Sequence, residues 1–155
     1  MTTTMMQPVL VGPGKGRTPQ PLRFPGQEIL VKASCQDTNG SFAAGLVKVE
    51  PMSGPPLHVH TREDEWFYIL KGEFTFQVGD ESFVARPGTS VFAPRDIPHA
   101  FQNFTGEVLE AIVVVSPGEF ENFFVDVNAA PLSPDQMSAL FERYGMTVLG
   151  PPLTA

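Results

Sequence analysis

From Glu28 to Ser116 the chain runs as short apolar stretches divided by turn residues, with no helical segment between them. Candidate strands are Ile29–Ala33, Ser41–Glu50, Leu57–His60, Glu65–Leu70, Glu73–Val78, Ser82–Arg86, Ser90–Phe92, Ala100–Phe104 and Val108–Val115. They are rich in Val, Ile and Phe, and Asn39-Gly40, Lys71-Gly72, Gly79-Asp80 and Pro87-Gly88 punctuate them. Gly79-Asp80, set between Phe74-Thr-Phe76-Gln-Val78 and Ser82-Phe83-Val84, reads as a hairpin. Closely spaced strands of this kind predict an all-β antiparallel sandwich or barrel spanning residues 27–116.

The flanks differ from this middle. Residues 1–26 carry Pro8, Pro13, Pro19, Pro21 and Pro25, which rule out a helix and predict an extended N-terminal arm with a short strand at Val9–Val11. Within it, Gly12-Pro-Gly-Lys15-Gly16 lacks the spacing and the following helix of a phosphate loop. Residues 117–155 switch to the helical period. Ser116-Pro117-Gly-Glu119 reads as a capping box, followed by Phe120, Phe123, Phe124 and Val127 on one face. Ser133-Pro134-Asp-Gln136 repeats the start signal, Met137, Leu140, Phe141 and Tyr144 repeat the stripe, and Gly145 ends it. Two short C-terminal helices are therefore expected to lay apolar faces on the barrel wall or its mouth.

Composition narrows the function classes. The 155 residues, 42% of them hydrophobic, suit one domain with a sizeable core. A net charge of −7 without a basic cluster opposes nucleic-acid binding. Cys35 is the single cysteine, which excludes an intrachain disulfide and a multi-cysteine zinc module. The longest aliphatic run, Ala111–Val115, is far too short to span a membrane. Met1–Gln7 has no basic start and Pro8 interrupts it, so a secretory signal is not expected and a cytoplasmic protein is. Charged residues are only 17%, which together with the many sheet edges leads us to expect a homodimer.

The chemistry-bearing residues are few. The three histidines are His58, His60 and His99, and His58-Val59-His60 places two imidazoles on one face of a strand. Glu65 shares its parity with Phe67 and Ile69, so its carboxylate points with buried side chains and needs a cation. His99 opens another strand, and closing a barrel is one way to unite the three segments. Taken singly, each has an ordinary reading: a packing His-x-His, a hydrogen-bonded His99, and a solvated acidic turn at Glu63, Asp64 and Glu65. Trp66, Phe67, Phe74, Phe76, Phe92, Phe101 and Phe104 offer aromatic surface, of which about half can point inward by strand alternation. Arg86 and Arg95 are candidate anion partners that also suit a solvated surface.

Together the segments form a two-part pattern. The first part is His58-x-His60, four residues, Glu65, six residues, Gly72, with Met52 where an opening glycine would fall and Gly54 nearby. The second is Gly88, five residues, Pro94-x-Asp96, two residues, His99, three residues, Asn103. This pattern resembles the two motifs of the cupin superfamily, with Asp96 in place of an internal glycine at a turn where Asp tolerates left-handed geometry. The resemblance implies a double-stranded β-helix, a jelly-roll barrel. By motif match it implies His58, His60, Glu65 and His99 as ligands of one divalent transition metal, whether Fe, Mn, Ni, Cu or Zn. Asp64 competes with Glu65, but only Glu65 keeps the six-residue interval to Gly72.

The proline-rich arm, the run Pro56 to Glu65 and the Tyr144-Gly…Gly-Pro-Pro ending look like single-domain cupins likened to quercetin 2,3-dioxygenase. That likeness implies dioxygenase-like oxidation of a small chelating substrate (an enol, diketone or flavonol), with Glu65 also acting as a base. The other expectation is a non-redox vessel: a small-molecule binding or sensing module, or a metal-assisted isomerase or cyclase.

Overall fold

The computed structural model describes residues 5–155. Its strands are β1 (Leu22–Phe24), β2 (Gln27–Ala33), β3 (Ala43–Val49), β4 (Pro56–His60), β5 (Asp64–Lys71) and β6 (Phe74–Val78). They continue with β7 (Glu81–Ala85), β8 (Ser90–Ala93), β9 (His99–Gln102), β10 (Leu109–Ser116) and β11 (Met146–Pro152), with helices α1 (Glu121–Ala129) and α2 (Pro134–Arg143) before β11. Two antiparallel sheets result, one ordered β1-β2-β3-β10-β5-β8 and the other β11-β4-β9-β6-β7. The all-β sandwich with two short helices at its C-terminal end is the expected class.

Strand alternation builds the core. On β5 the buried positions are Glu65, Phe67 and Ile69, while Trp66 and Leu70 stand outward. Phe67 and Ile69 meet Val47 and Val49 of their own sheet and Phe74, Phe76 and Phe101 of the other. Phe67 lies 5.2 Å from Phe76 and 5.8 Å from Phe101, ring centroid to centroid, so aromatic contacts bind the two sheets. Burying each such ring stabilises the fold by about 1.5–3 kcal/mol. At the other end, Phe120 and Phe123 pack with Ala43, Val115 and Met146, and with Phe24, Phe141 and Tyr144 at the edge of that cluster. The helical stripes thus close one end of the sandwich.

Several local expectations change. Val9–Val11 form no strand, and Leu10 is 98% exposed. Their β-propensity finds no partner, and the arm is tied down further along, where Lys32 Nζ donates to the carbonyls of Gly12 and Lys15. Met1 to Thr4, part of the segment read for targeting, lie outside the described residues. Ser116 caps no helix. It ends β10, its hydroxyl donates to Ser41 O, and a 3-10 turn at Gly118–Phe120 leads into α1 without a side-chain cap. Ser133 does cap α2, in the full reciprocal arrangement with Gln136. The chain then adds β11, unmarked in the sequence because Gly150-Pro151-Pro152 reads as a breaker; it pairs along one side only, where proline is tolerated.

The motif positions have backbone reasons. Asp96 has φ 66°, so it adopts the left-handed geometry expected of a glycine substitute. Met52, at the opening-glycine position, also has φ 55°, which costs a non-glycine residue about 1 kcal/mol. Asn103 is fully buried, and its amide Nδ2 donates to the carbonyls of Val49, Glu50 and Glu107 while Oδ1 accepts from Thr105. It pins the loop after β9 to the end of β3. Asn103→Ala strands these buried carbonyls and is expected to destabilise by about 2–3 kcal/mol in chemical denaturation, against less than about 0.5 kcal/mol for an exposed substitution.

Candidate metal centre

The site begins as a register. β4 and β9 pair antiparallel with His58 directly opposite His99, and the turn before β9 is held because Asp96 N donates to His60 O. The three imidazoles therefore share one sheet, with His58 and His99 ring centroids 4.5 Å apart and His58 and His60 5.0 Å apart. Glu65 comes from the opposite sheet and reaches across: its Oε2 lies 2.6 Å from His99 Nε2 and 3.6 Å from His60 Nε2. All four residues are buried, and one donor atom from each lies within 4.8 Å of the others.

Asp64 is not among them. It turns outward and binds Arg95, with Nε 3.2 Å from Oδ1 and Nη2 3.0 Å from Oδ2. The carboxylate gathered with the imidazoles is Glu65. Arg95 and Arg86 both serve exposed pairs, with Asp64 and Glu73 respectively, and neither faces the imidazoles.

The donor chemistry fits a cation. His58 Nδ1 lies 2.7 Å from Pro56 O and His99 Nδ1 3.1 Å from Ile97 O. A carbonyl oxygen only accepts, so each of those nitrogens carries the hydrogen. His58 Nε2 is thereby left as a lone-pair donor, and His99 Nε2 shares a proton with Glu65 that a dication would displace. Burial works to raise the Glu65 pKa, but the charge of His60 and the hydrogen bond from His99 overcome it and hold the carboxyl at about 2. Burial, then the neighbouring charges of His99 and His60, push His58 down to about 4. For His99, burial pulls the pKa down, but the hydrogen bond and charge of Glu65 outweigh it and raise it.

Beside the imidazoles lies a cavity of about 120 Å³. His58, His60 and Glu65 form its polar end, and Leu22, Ile29, Val31, Val47, Phe67 and Val113 are among its apolar walls. Neither Lys nor Arg is among the described residues that line it. Glu121 also lines it, but its Oε2 accepts from Cys35 N and the Ser34 hydroxyl. Phe120 closes the site, edge-on to His60 at 4.5 Å between centroids. The helical stripe marked Phe120 only as a packing residue. Glu63, read as part of a solvated turn, is instead 5% exposed with Oε2 3.5 Å from His60 Nδ1.

Residues 45–115 match the family model described as a cupin domain. That segment is similar to a cupin domain. A curated relative, Protein SchB of Streptomyces halstedii, is 30% identical over 69 residues, 44% of this chain and 49% of SchB. The chain thus spans about half the length of the curated relative it matches. Among solved structures, an RmlC-like cupin from Shewanella frigidimarina is similar at a TM-score of 0.62 and 20% identity, over 76% of this chain and 99% of that one. A predicted oxalate decarboxylase from Thermotoga maritima aligns at 0.58 and 25% identity, over 63% and 92%. KdgF from a Halomonas species aligns at 0.54 and 23%, over 61% and 81%. The fold is a cupin-like jelly roll, and the buried His/Glu cluster is a candidate metal site.

The shifted imidazoles give an observable ordering. In metal-free protein the His58 ring should titrate near pH 4 and the His99 ring above 6.5, read from imidazole proton shifts by NMR. Because unfolded His58 takes up a proton near 6.5 that the native ring refuses, its contribution to stability falls as pH drops from about 6.5 to about 4. His99 acts in the opposite sense, contributing below 6.5 and losing that contribution as pH rises through its folded pKa. A His58 midpoint at or above 6.5 would contradict its assigned environment.

Proposed function

We propose that this cupin is a metal-dependent enzyme that oxidises a compact, largely apolar, chelating carbonyl compound in dioxygenase-like fashion, with O₂ as co-substrate. The observation that carries the reading is a set of four buried N/O donors, drawn from both sheets, three of which line a largely apolar cavity. His58, His60, His99 and Glu65 would hold the ion, and an N/O set without thiolate suits Fe, Mn, Ni, Cu or Zn. When bound, such an ion acts as a Lewis acid on coordinated oxygens and, if redox-active, supports electron transfer to O₂.

The protein's own groups set the rest. Three neutral imidazoles and one carboxylate leave a dication at +1, which favours an enol or diketone that ionises on binding. Glu65 Oε2, held between His60 and His99, is the base available to accept that substrate proton. Phe120 and the aliphatic walls exclude water from the reacting atoms.

Cavity size and charge refine the substrate class. A cavity of about 150 Å³ holds a benzene molecule, so about 120 Å³ suits one small ring or a short diketone better than a three-ring flavonol. Oxalate and sugar phosphates carry two or more negative charges that ordinarily meet Arg or Lys. The solved neighbours include a predicted oxalate decarboxylase, but the cation-free lining here favours a substrate that arrives neutral.

The same donor set supports a second, non-redox reading, a metal-assisted isomerase or cyclase or a binding module, because it accepts redox-silent zinc equally well. Elemental analysis of protein purified without a metal-affinity step separates the two: Fe, Mn, Ni or Cu favours oxidation and Zn opposes it. His58→Ala, His60→Ala and His99→Ala should each remove most of the bound metal, and retention at the level of the unaltered protein would overturn the ligand set. With the native metal present, oxygen consumption should appear with short 1,3-diketones or enolic ketones and not with sugar phosphates or oxalate. No uptake across the neutral panel would leave only the non-redox reading.

A further inference from the structure

Glu63 sits in the turn between β4 and β5, where an acidic side chain ordinarily extends into water. Here it is 5% exposed, and its Oε2 lies 3.5 Å from His60 Nδ1, the two atoms being buried and neither making a hydrogen bond. Among the described residues, no Lys or Arg pairs with Glu63. The other two imidazoles rest their Nδ1 atoms on main-chain carbonyls, of Pro56 and Ile97. His60 has no such carbonyl, and the Glu63 carboxylate stands in its place.

We propose that Glu63 is the positioning residue of His60, on the metal-centre reading given above. Its carboxylate accepts the Nδ1 hydrogen, which fixes the tautomer and turns the Nε2 lone pair toward Glu65 and the ion. A carboxylate is a stronger acceptor than a peptide carbonyl, so His60 becomes the most electron-rich of the three nitrogen donors. Glu63 and Glu65 together also place two buried carboxylates beside His60.

The test measures Zn²⁺ affinity by competition with a chromophoric chelator in the full-length protein, beside the tautomer of His60 in the Zn²⁺ form by ¹⁵N NMR. The unaltered protein should show His60 protonated at Nδ1. Glu63→Ala should weaken Zn²⁺ binding by about 10–100-fold. Glu63→Gln keeps an acceptor oxygen and the side-chain volume but loses the charge, so it should fall between the two and keep the tautomer. Glu73→Gln, which removes an exposed acid paired with Arg86, should leave both readouts unchanged. A His60 protonated at Nε2 in the unaltered protein overturns the inference without any variant, and so do Glu63 variants with unchanged affinity. His58→Ala in the same titration separates the two levels. If it too retains affinity, the metal-centre reading fails; if it abolishes binding while the Glu63 variants do not weaken it, only the role of Glu63 fails.

Discussion

The structure depends on one confrontation across the sandwich: three imidazoles on the sheet that carries β4 and β9 face a single carboxylate from β5 on the other. Placing these groups in an apolar interior is unfavourable unless each finds a partner. The hydrogen bond between His99 and Glu65 supplies one such partnership, and the aromatic contacts of Phe67 with Phe76 and Phe101 hold the sheets at the spacing this requires. Packing and polar chemistry therefore occupy one interior. The phenylalanine layer fixes the distance between the sheets, and the His/Glu cluster uses it.

The helical end of the chain completes the vessel. Phe120 and Phe123 stack with centroids 5.2 Å apart, and Phe141 stacks on Phe123 at 5.6 Å, so aromatic side chains from α2, α1 and the turn before it form one plug. At its tip the plug touches the cluster, where Phe120 meets His60 edge-on. The cavity beneath it is largely apolar, with His58, His60 and Glu65 at one end.

Much of this was legible from residue order alone, for identifiable reasons. Period-two alternation marked the central strands and put Glu65 on the inner face with Phe67 and Ile69. The interval from Glu65 to Gly72 favoured Glu65 over Asp64, which the ion pair of Asp64 with Arg95 explains. What escaped the reading depended on contacts distant in sequence. Ser116 carries a local start signal, but its hydroxyl is taken by Ser41, 75 residues away. Val9–Val11 have the composition of a strand without a neighbouring strand to bond. Glu63 lies in a run of acids that looks solvated, and only the closure of β5 over the end of β4 buries it against His60. Local pattern reports which way a side chain points. It does not report what the rest of the chain brings to meet it.

β11 has a consequence for the order in which the protein can mature. Met146 pairs with His60 and Val148 with His58, so the strand bearing two of the three imidazoles gains its outer hydrogen-bonded neighbour only from residues almost ninety positions later. During synthesis, a nascent chain has emerged through both histidine segments well before that neighbour exists. The outer edge of β4 stays unpaired until translation has passed α2.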